Sequence, residues 1–473
     1  MIGRKKEIQA LQTAYNSVQS EFVAVYGRRR IGKTFLINEL FGGRFAFQHA
    51  GVEKASMREQ LAYFRDSLLR NGHRNCPVLH NWRTAFFELE NFLEGLEPGR
   101  KVVFLDEVPW MDTAKSGFLT ALEHFWNGWA CLRKDVLLII CGSATSWVVN
   151  EVLSARGGLY NRVTVPMPVA PFSLFECEQY VQWKGLPFDR LQIAECYMAF
   201  GGVAYYWNLL SSQMSAAQNL DALFFARNAP LRNEFDRLFS SLFKRARKYI
   251  EIVELLAGKA KGMTRDELLS AMKSPCGGEI SRYLRELEEC GFVLRCNLFG
   301  TIKKGAIYKV VDNLVLFHQT FLKGRSGNEE AFWTTAYEKP AVNAWRGHSF
   351  ERLCFGHVRQ IKQALGIAGI RSDVYSWRAR SDAETKEDAQ IDMLVERADR
   401  TITICEMRYA GENEYGFTKD TQEQLHRRGR IFREATGVKK AIGYALVTTV
   451  ALKRNAYSGA VQSVVTLDDL FKE

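Results

Sequence analysis

The sequence of 473 residues predicts a multidomain α/β protein, and three patterns carry that reading. The apolar run VAVY at 23–26 enters a glycine-bounded loop, GRRRIGKT at 27–34, directly ahead of a helix-like stretch at 35–40. Strand, loop and helix in that order are what a phosphate-binding loop requires. A second apolar run, VVFL at 102–105, ends in Asp106 and Glu107, at the edge where a parallel sheet opens its ligand crevice. Near the C-terminus, QIDMLV at 390–395 and ITICEMR at 402–408 alternate apolar and polar residues about a turn at 398–400, predicting a hairpin.

Within the first pattern Lys33 can reach the β- and γ-phosphates of a nucleotide and Thr34 can hold Mg²⁺. The backbone N–H groups of Gly27, Arg28, Arg29, Arg30, Ile31 and Gly32 can surround phosphate oxygens. Asp106 suits the support of a hydrated Mg²⁺, and Glu107 the polarisation of an attacking water. ATP is expected rather than GTP, because no base-recognition motif of the GTPase kind is present. A further apolar run at 136–142 ends in Ser143, which has two readings: contact with the γ-phosphate or attacking water, or a cap for a helix at 147–149. Arg156 and Arg162 follow, either within reach of phosphate or on the surface.

Composition narrows the class. With 47% hydrophobic and 25% charged residues the chain reads as an ordinary globular protein. Its formal charge of +11 permits nucleic-acid contact, but the basic residues are spread along the chain. The ten cysteines form no CxxC pair and several lie in apolar runs, which with the absence of a signal peptide favours a reducing, cytoplasmic setting. No apolar run reaches membrane-spanning length, so no membrane partner is expected. The eight histidines form no HExxH or similarly compact cluster, and structural zinc is not expected.

The segments GRRRIGKT at 27–34, VVFLDE at 102–107, CGSATSW at 141–147, LYNR at 159–162 and APFSLFE at 170–176 resemble the archaeal-type ATPase family, within the AAA+ and STAND P-loop proteins. The resemblance spans about residues 1–235 and implies a P-loop NTPase core, 1–175, followed by a helical lid, 176–239. It makes Lys33 and Thr34 the Walker A pair, Asp106 and Glu107 the Walker B pair, Ser143 the sensor and Arg162 the arginine that follows the small-residue loop. Ala204 stands where the family's lid usually has proline, so the bend there is allowed rather than enforced. The lid aromatics around 194–200 and 220–225 recur on apolar faces and are expected to pack.

Residues 240–328 change pattern. Tyr249, Ile252, Val253 and Leu256 share a helical face, Thr264 and Glu267 stand at capping-box spacing, and a third helix after 277–278 turns Ile280, Leu284 and Leu287 inward. Strand-like GFVLR at 291–295 and AIYKV at 306–310 follow, and the whole looks like a winged helix-turn-helix domain. Such a domain can place its third helix in DNA. That helix carries Arg282 and Arg285 but also Glu279, Glu286, Glu288 and Glu289, whereas Arg295, Lys303 and Lys304 lie on or near the wing. DNA recognition and a purely intramolecular or protein-contact role both stay open.

The last unit, 329–473, starts with a helix expected at 334–345. If the hairpin turns on Asp399, Asp392 faces Glu406, Glu406 and Arg408 share a face, and Gln390 lies alongside Arg408. Two carboxylates so placed form a hard oxygen site for Mg²⁺ or Mn²⁺, which Glu351 could join from its helix. The pattern resembles the PD-(D/E)xK nuclease superfamily, in a position typical of a DUF234-type C-terminal region; the implied fold is restriction-endonuclease-like α/β. By that resemblance Glu351 is the helical acid, Asp392 the metal-binding aspartate and Glu406 the ExK glutamate, with Arg408 in place of lysine. The opposing reading is a decayed nuclease domain whose Asp392 and Glu406 pair with Arg397 or Arg408. His348 and His357 read as packing or hydrogen-bonding residues; Gln424, Arg427, Arg428 and Arg430 lie on the next helix, facing phosphate or solvent.

The function expected is ATP binding and hydrolysis, with nucleotide state controlling a DNA-associated, nucleolytic C-terminal domain. Two alternatives stand beside it: a nucleotide-gated interaction or signalling switch with an inactive nuclease-like domain, and an ATP-controlled transcription regulator. DNA, a protein partner or a second copy of the chain are the partners these readings imply.

Overall fold

Strands made of consecutive buried aliphatic residues need cover on both faces, and the N-terminal sheet is built from such strands. The computed structural model describes residues 2–154, 158–243, 245–259, 261–272, 277–300, 306–325, 329–379, 389–411 and 414–473. It divides into two units, Met1–Pro171 and Phe172–Glu473. In the first, β1 (Glu21–Tyr26), β2 (Phe45–Ala50), β3 (Lys101–Asp106), β4 (Val136–Gly142) and β5 (Val165–Pro168) form a sheet in the order β2-β3-β4-β1-β5. All neighbouring pairs are parallel. Every residue of β3 and β4 is buried. An aromatic cluster that includes Phe64, Trp82, Phe86, Phe118 and Phe125 packs beside these strands.

The strand order brings the predicted motifs together. β4 lies between β1 and β3, with Tyr26 opposite Gly142 and Leu105 opposite Ile140. The chain therefore leaves all three strands along one edge: into the loop at 27–32, into Asp106 and Glu107, and into Ser143. The helix expected at 35–40 is present as Lys33–Phe41.

The second unit begins with the helices Leu174–Lys184 and Arg190–Phe200, each opened by a capping box, Ser173 with Glu176 and Asp189 with Gln192. Ala204 is the first residue of the helix Ala204–Asn208. That is a position where proline is well tolerated, and the chain makes the bend without it, using Gly201 at φ 70°. Phe200, Tyr206, Trp207 and Phe224 pack against one another, as their spacing predicts. Asp221 caps the helix Phe332–Ala336, accepting from the backbone N–H of Trp333 (2.6 Å) and Thr334 (3.0 Å) and from the Thr334 hydroxyl (2.8 Å).

Next come the helices Ala246–Ala257, Arg265–Ala271 and Ile280–Glu289 with β6 (Met263–Thr264), β7 (Val293–Cys296) and β8 (Ile307–Val310), antiparallel in the order β6-β8-β7. The Thr264–Glu267 capping box is formed, and Ile280, Leu284 and Leu287 are buried. Arg282 spends its charge on Glu279 and Glu286 of its own helix. Lys303, Lys304 and Arg156 lie outside the described residues.

The helix expected at 334–345 is corrected to two, Phe332–Ala336 and Pro340–Gly356. Pro340 has no N–H to donate and holds Lys339 in extended backbone, so one helix must end before it and another start on it. The sheet that follows contains β9 (Ser372–Arg378), β10 (Gln390–Arg397), β11 (Thr401–Arg408), β13 (Ala441–Thr448) and β15 (Ser463–Thr466). Its order is β15-β13-β11-β10-β9; β12 (Glu414–Tyr415) and β14 (Ala451–Leu452) pair separately. β9, β10 and β11 form an antiparallel meander, while β13 and β15 run parallel to β11. The helix Lys419–Thr436 connects β12 to β13 and buries Leu425 and Phe432. Gly429 lets it approach the sheet, since a Cβ there would stand 2.0 Å from the Tyr444 hydroxyl. Among the described residues no helix is long and apolar enough to cross a membrane.

One buried charge joins the start of the second unit to its end. Glu195, 1% exposed, accepts from Arg346 Nε (2.6 Å), Tyr337 Oη (3.1 Å) and Tyr409 Oη (3.2 Å). Removing one partner of such a pair leaves an uncompensated charge, so Glu195→Ala is expected to destabilise the full chain by about 3–5 kcal/mol in urea unfolding. A pH effect follows from His49 in β2, which is buried beside the Ser67 hydroxyl and whose pKa burial pushes down from 6.5 to about 4. Folding then favours the neutral ring: its stability contribution is intact above 6.5 and is lost as pH falls through about 4. Acid unfolding curves of the full chain should show that loss weakened in His49→Gln.

Candidate functional site

Lys33 is buried at 5% exposure, and its ammonium donates to the carbonyls of Gly27 and Arg28, each at 2.9 Å. The loop turns tightly enough to need glycine at its start: Gly27 has φ 145°, and a Cβ there would lie 2.3 Å from the Val169 carbonyl oxygen. Gly32 (φ 92°) and Arg30 (φ 70°) also take left-handed backbone. The Thr34 hydroxyl donates to Asp106 Oδ2 at 2.8 Å, while the Glu107 N–H donates to Asp106 Oδ1 at 2.9 Å, so both Asp106 oxygens are oriented. Glu107 itself has φ 47°, a conformation costly for a branchless polar side chain and typical of functional positions.

Ser143 donates to Glu107 Oε2 through its hydroxyl (2.8 Å) and its backbone N–H (3.1 Å). This removes the helix-cap reading of Ser143: the short helix Thr145–Trp147 starts after Ala144, with no side-chain cap. Lys33, Thr34, Asp106, Glu107 and Ser143 thus form one connected site, and Arg162 stands exposed outside that network. Sequence reasoning missed Arg4. Its buried guanidinium donates to the carbonyls of Ile31 (3.1 Å) and Ala170 (2.5 Å), bracing the phosphate loop from behind. Only the fold distinguishes it from the cations that follow at 5 and 6.

These residues fit a nucleoside triphosphate with Mg²⁺. The helix N-terminus and the loop amides suit phosphate oxygens, a buried ammonium adds the countercharge, and the Thr34–Asp106 pair offers the hard oxygens that Mg²⁺ takes.

The second constellation lies in the C-terminal sheet. A cavity of about 60 Å³ is lined by Glu351, Gln390, Asp392, Glu406, Arg408 and Arg428, with apolar residues of β10 and β11. The hairpin register, Met393 opposite Cys405 and Leu394 opposite Ile404, makes Asp392 and Glu406 the next opposed pair, as a turn on Asp399 predicts. Each acid has a polar or cationic neighbour. Glu406 is held by Arg408 and, at 2.7 Å, by Arg428 Nη1. Asp392 Oδ1 accepts from Gln390 Nε2 at 2.6 Å and pairs with Lys309 of β8 at 3.7 Å. Glu351 lies 3.9 Å from His348 Nδ1, and that interaction raises the imidazole pKa above its usual value.

The ion-pair reading is thus half corrected: Arg408 does pair with Glu406, but Arg397 pairs with Asp399 at the turn. Arg428 and Lys309 were not foreseen as partners; one lies on a helix and the other on a strand far away in sequence. Gln424, Arg427 and Arg430 are exposed on the helix that points Arg428 inward. His357 is a packing residue, buried, with Nδ1 2.8 Å from the Leu353 carbonyl oxygen. The three carboxylates line one cavity, but among the described residues they do not bring three ligand atoms within 4.8 Å of one another, and Asp392 and Glu406 are each met by a resident cation.

No compact motif of histidines is present in the sequence, yet the fold brings one histidine into a small group of potential ligands. His73 Nε2 lies 2.8 Å from Glu88 Oε2, and the ligand atoms of His73, Cys76 and Glu88 all fall within 4.8 Å of one another. Glu88 comes from the next helix, Trp82–Glu94, so no short motif announces the group.

Residues 1–210 match a family described as an ATPase domain predominantly from Archaea. An uncharacterized protein of Methanocaldococcus jannaschii, MJECL04, is 24% identical over 369 residues, covering 74% of this chain and 76% of its own. Among solved structures, the Walker-type ATPase PABY2304 of Pyrococcus abyssi aligns with a TM-score of 0.45 at 15% identity, covering 67% of this chain and 96% of its own. The Aeropyrum pernix ORC2 protein, in ADPNP–ADP complexes, aligns with a TM-score of 0.40 at 14% identity, covering 70% and 95%. Residues 1–210 are therefore similar to the archaeal ATPase domain, and the N-terminal part of the chain is an α/β P-loop ATPase core with a helical lid.

Proposed function

We propose that this ATPase uses its nucleotide state to control a divalent-metal phosphodiester site in the C-terminal sheet. The observation that carries the second half is the convergence of Glu351, Asp392 and Glu406, from one helix and two strands, on a single polar cavity. The order of elements supports it: a helix, three antiparallel strands, a helix and a parallel strand, which is the arrangement expected of a restriction-endonuclease-like domain. In this reading residues 176–239 are the lid, 240–328 a winged helix with its linker, and 329–473 the nuclease-like domain, with DNA as the partner.

At the ATP site, Lys33 places positive charge on the phosphates and Glu107 accepts a hydrogen bond from the attacking water. Ser143 holds the Glu107 carboxylate in position and is thereby placed to sense the γ-phosphate. Mg²⁺, held by Thr34 and Asp106, supplies charge neutralisation when bound. Asp106 and Thr34 arrive pre-oriented toward each other, which lowers the reorganisation that turnover requires. Arg162 is assigned to phosphate contact by analogy with the family position alone.

A second reading has its own observation. Asp392 and Glu406 are already paired with Lys309, Arg408 and Arg428, which is what an inactive, interaction-only domain would also show.

Glu107→Gln is expected to keep ATP binding and lose about 10²–10⁴-fold in turnover, as for removal of a general base. Turnover at the unaltered rate would take Glu107 out of that role. Ser143→Ala should lower kcat by roughly tenfold, because it loosens Glu107 and removes the hydroxyl assigned to sensing the γ-phosphate, with KM changed much less because Lys33 and the loop amides still hold the nucleotide. For the C-terminal site, Mn²⁺ titration and cleavage of linear and branched DNA by the full chain discriminate the readings. Loss of both in Asp392→Ala supports the metal site; a wild-type chain that binds no Mn²⁺ in this domain favours the interaction switch.

A further inference from the structure

Beside the acidic cavity lies a larger one of about 300 Å³, and Glu351 and Asp392 belong to the walls of both. Its lining includes the apolar and aromatic residues Leu256, Leu294, Trp345 and Phe355. It also includes the cations Lys309, Arg352 and Lys259, with His348. The cavity is therefore built jointly by the three-helix region with its wing and by the helix Pro340–Gly356.

Arg352 is the unusual member. Its Nη2 donates to Ser349 Oγ at 2.6 Å, yet its Nε is buried with no hydrogen-bond acceptor, and among the described residues no carboxylate lies within ion-pair distance of it. Trp345 Nε1, in the same lining, is also buried without an acceptor, so two donors of this one cavity are open to a ligand. Lys309 offers a second cation in the same lining, 3.7 Å from Asp392 and over the face of Phe355 at 5.6 Å. The phosphate loop uses neither group, and of the two only Lys309 meets the acidic trio, through Asp392.

We propose that this cavity holds one nucleoside phosphate unit, its phosphate on Arg352 and Lys309 and its base and sugar against the apolar and aromatic residues. A guanidinium and an ammonium suit phosphate oxygens, and an aromatic lining suits a base of any sequence. The volume is at the low end of small-molecule sites and matches a single nucleotide rather than a duplex. Because Glu351 and Asp392 are shared, the phosphate is presented next to the acidic pocket. The inference rests on the reading of that pocket as a phosphodiester site and adds to it that the wing strand β8, through Lys309, contributes to substrate holding. Two sources share this chemistry: a nucleotide within a single strand, and a free mononucleotide.

The test uses the full chain with Lys33→Ala, which silences the phosphate loop, in EDTA. Fluorescence anisotropy follows a labelled, 5′-phosphorylated oligothymidylate, with thymidine monophosphate as competitor. Arg352→Met and Lys309→Met should each weaken binding at least tenfold, and so should Ala344→Trp, which fills the cavity from an exposed position of its wall. Should Arg352→Met fail to fold, the other two variants decide the matter. Full displacement by the mononucleotide identifies a free nucleotide as the ligand, and binding of the oligonucleotide alone identifies a strand. Oligonucleotide and mononucleotide affinities equal in all four proteins overturn the inference. Mn²⁺ titration of the same proteins separates the two readings: absent Mn²⁺ binding with intact probe binding defeats the acidic-centre reading alone, and the reverse defeats the cavity alone.

Discussion

A carboxylate withdrawn from water must be met by donors or by a cation, and that requirement organises both units of this protein. In the first unit Asp106 is met by Thr34 and the Glu107 N–H, and Glu107 by Ser143. In the second, Asp221 ties the lid region to the helix Phe332–Ala336, and Glu195 gathers Arg346, Tyr337 and Tyr409 from distant parts of the chain. Hydrophobic burial supplies most of the stability of such folds, but it is non-directional. These polar contacts specify which helix meets which strand, and at what register.

How much of this could be read beforehand depended on distance along the chain. The phosphate loop was legible because its glycines, lysine and threonine are contiguous and their geometry is local. The opposition of Asp392 and Glu406 was legible because counting outward from one tight turn determines register. Ser143 stayed ambiguous until β4 was seen to lie between β1 and β3, since only strand order puts it beside Glu107. The break before Pro340 was present in the sequence, since a proline without an N–H ends one helix and starts the next. Arg4 and Lys309 carried no local mark, and Arg428 stood out only as one of a cluster of arginines facing phosphate or solvent, because a long cation reads the same on a surface as in a site until its partner is known.

Arg408 shows why the type of cation matters. A lysine in that place presents one compact charge that can turn toward a water or a phosphate, whereas a guanidinium is a planar fork matched to a carboxylate. Here the fork is engaged with Glu406, and Arg428 takes the same acid from the neighbouring helix. Compact cationic character near Asp392 is supplied instead by Lys309, from a strand of a different sheet.

The end of β11 is where these interactions converge. Arg408 and Tyr409 are consecutive, and one side chain pairs with Glu406 while the other donates to Glu195 on the helix Arg190–Phe200. A single peptide bond thus separates a residue of the acidic cavity from a residue anchored to the lid helix, and the chain has no slack between them. The strand end therefore fastens two buried or half-buried charges to one another through adjacent residues, so the acidic cavity and the buried Glu195 share one stretch of backbone.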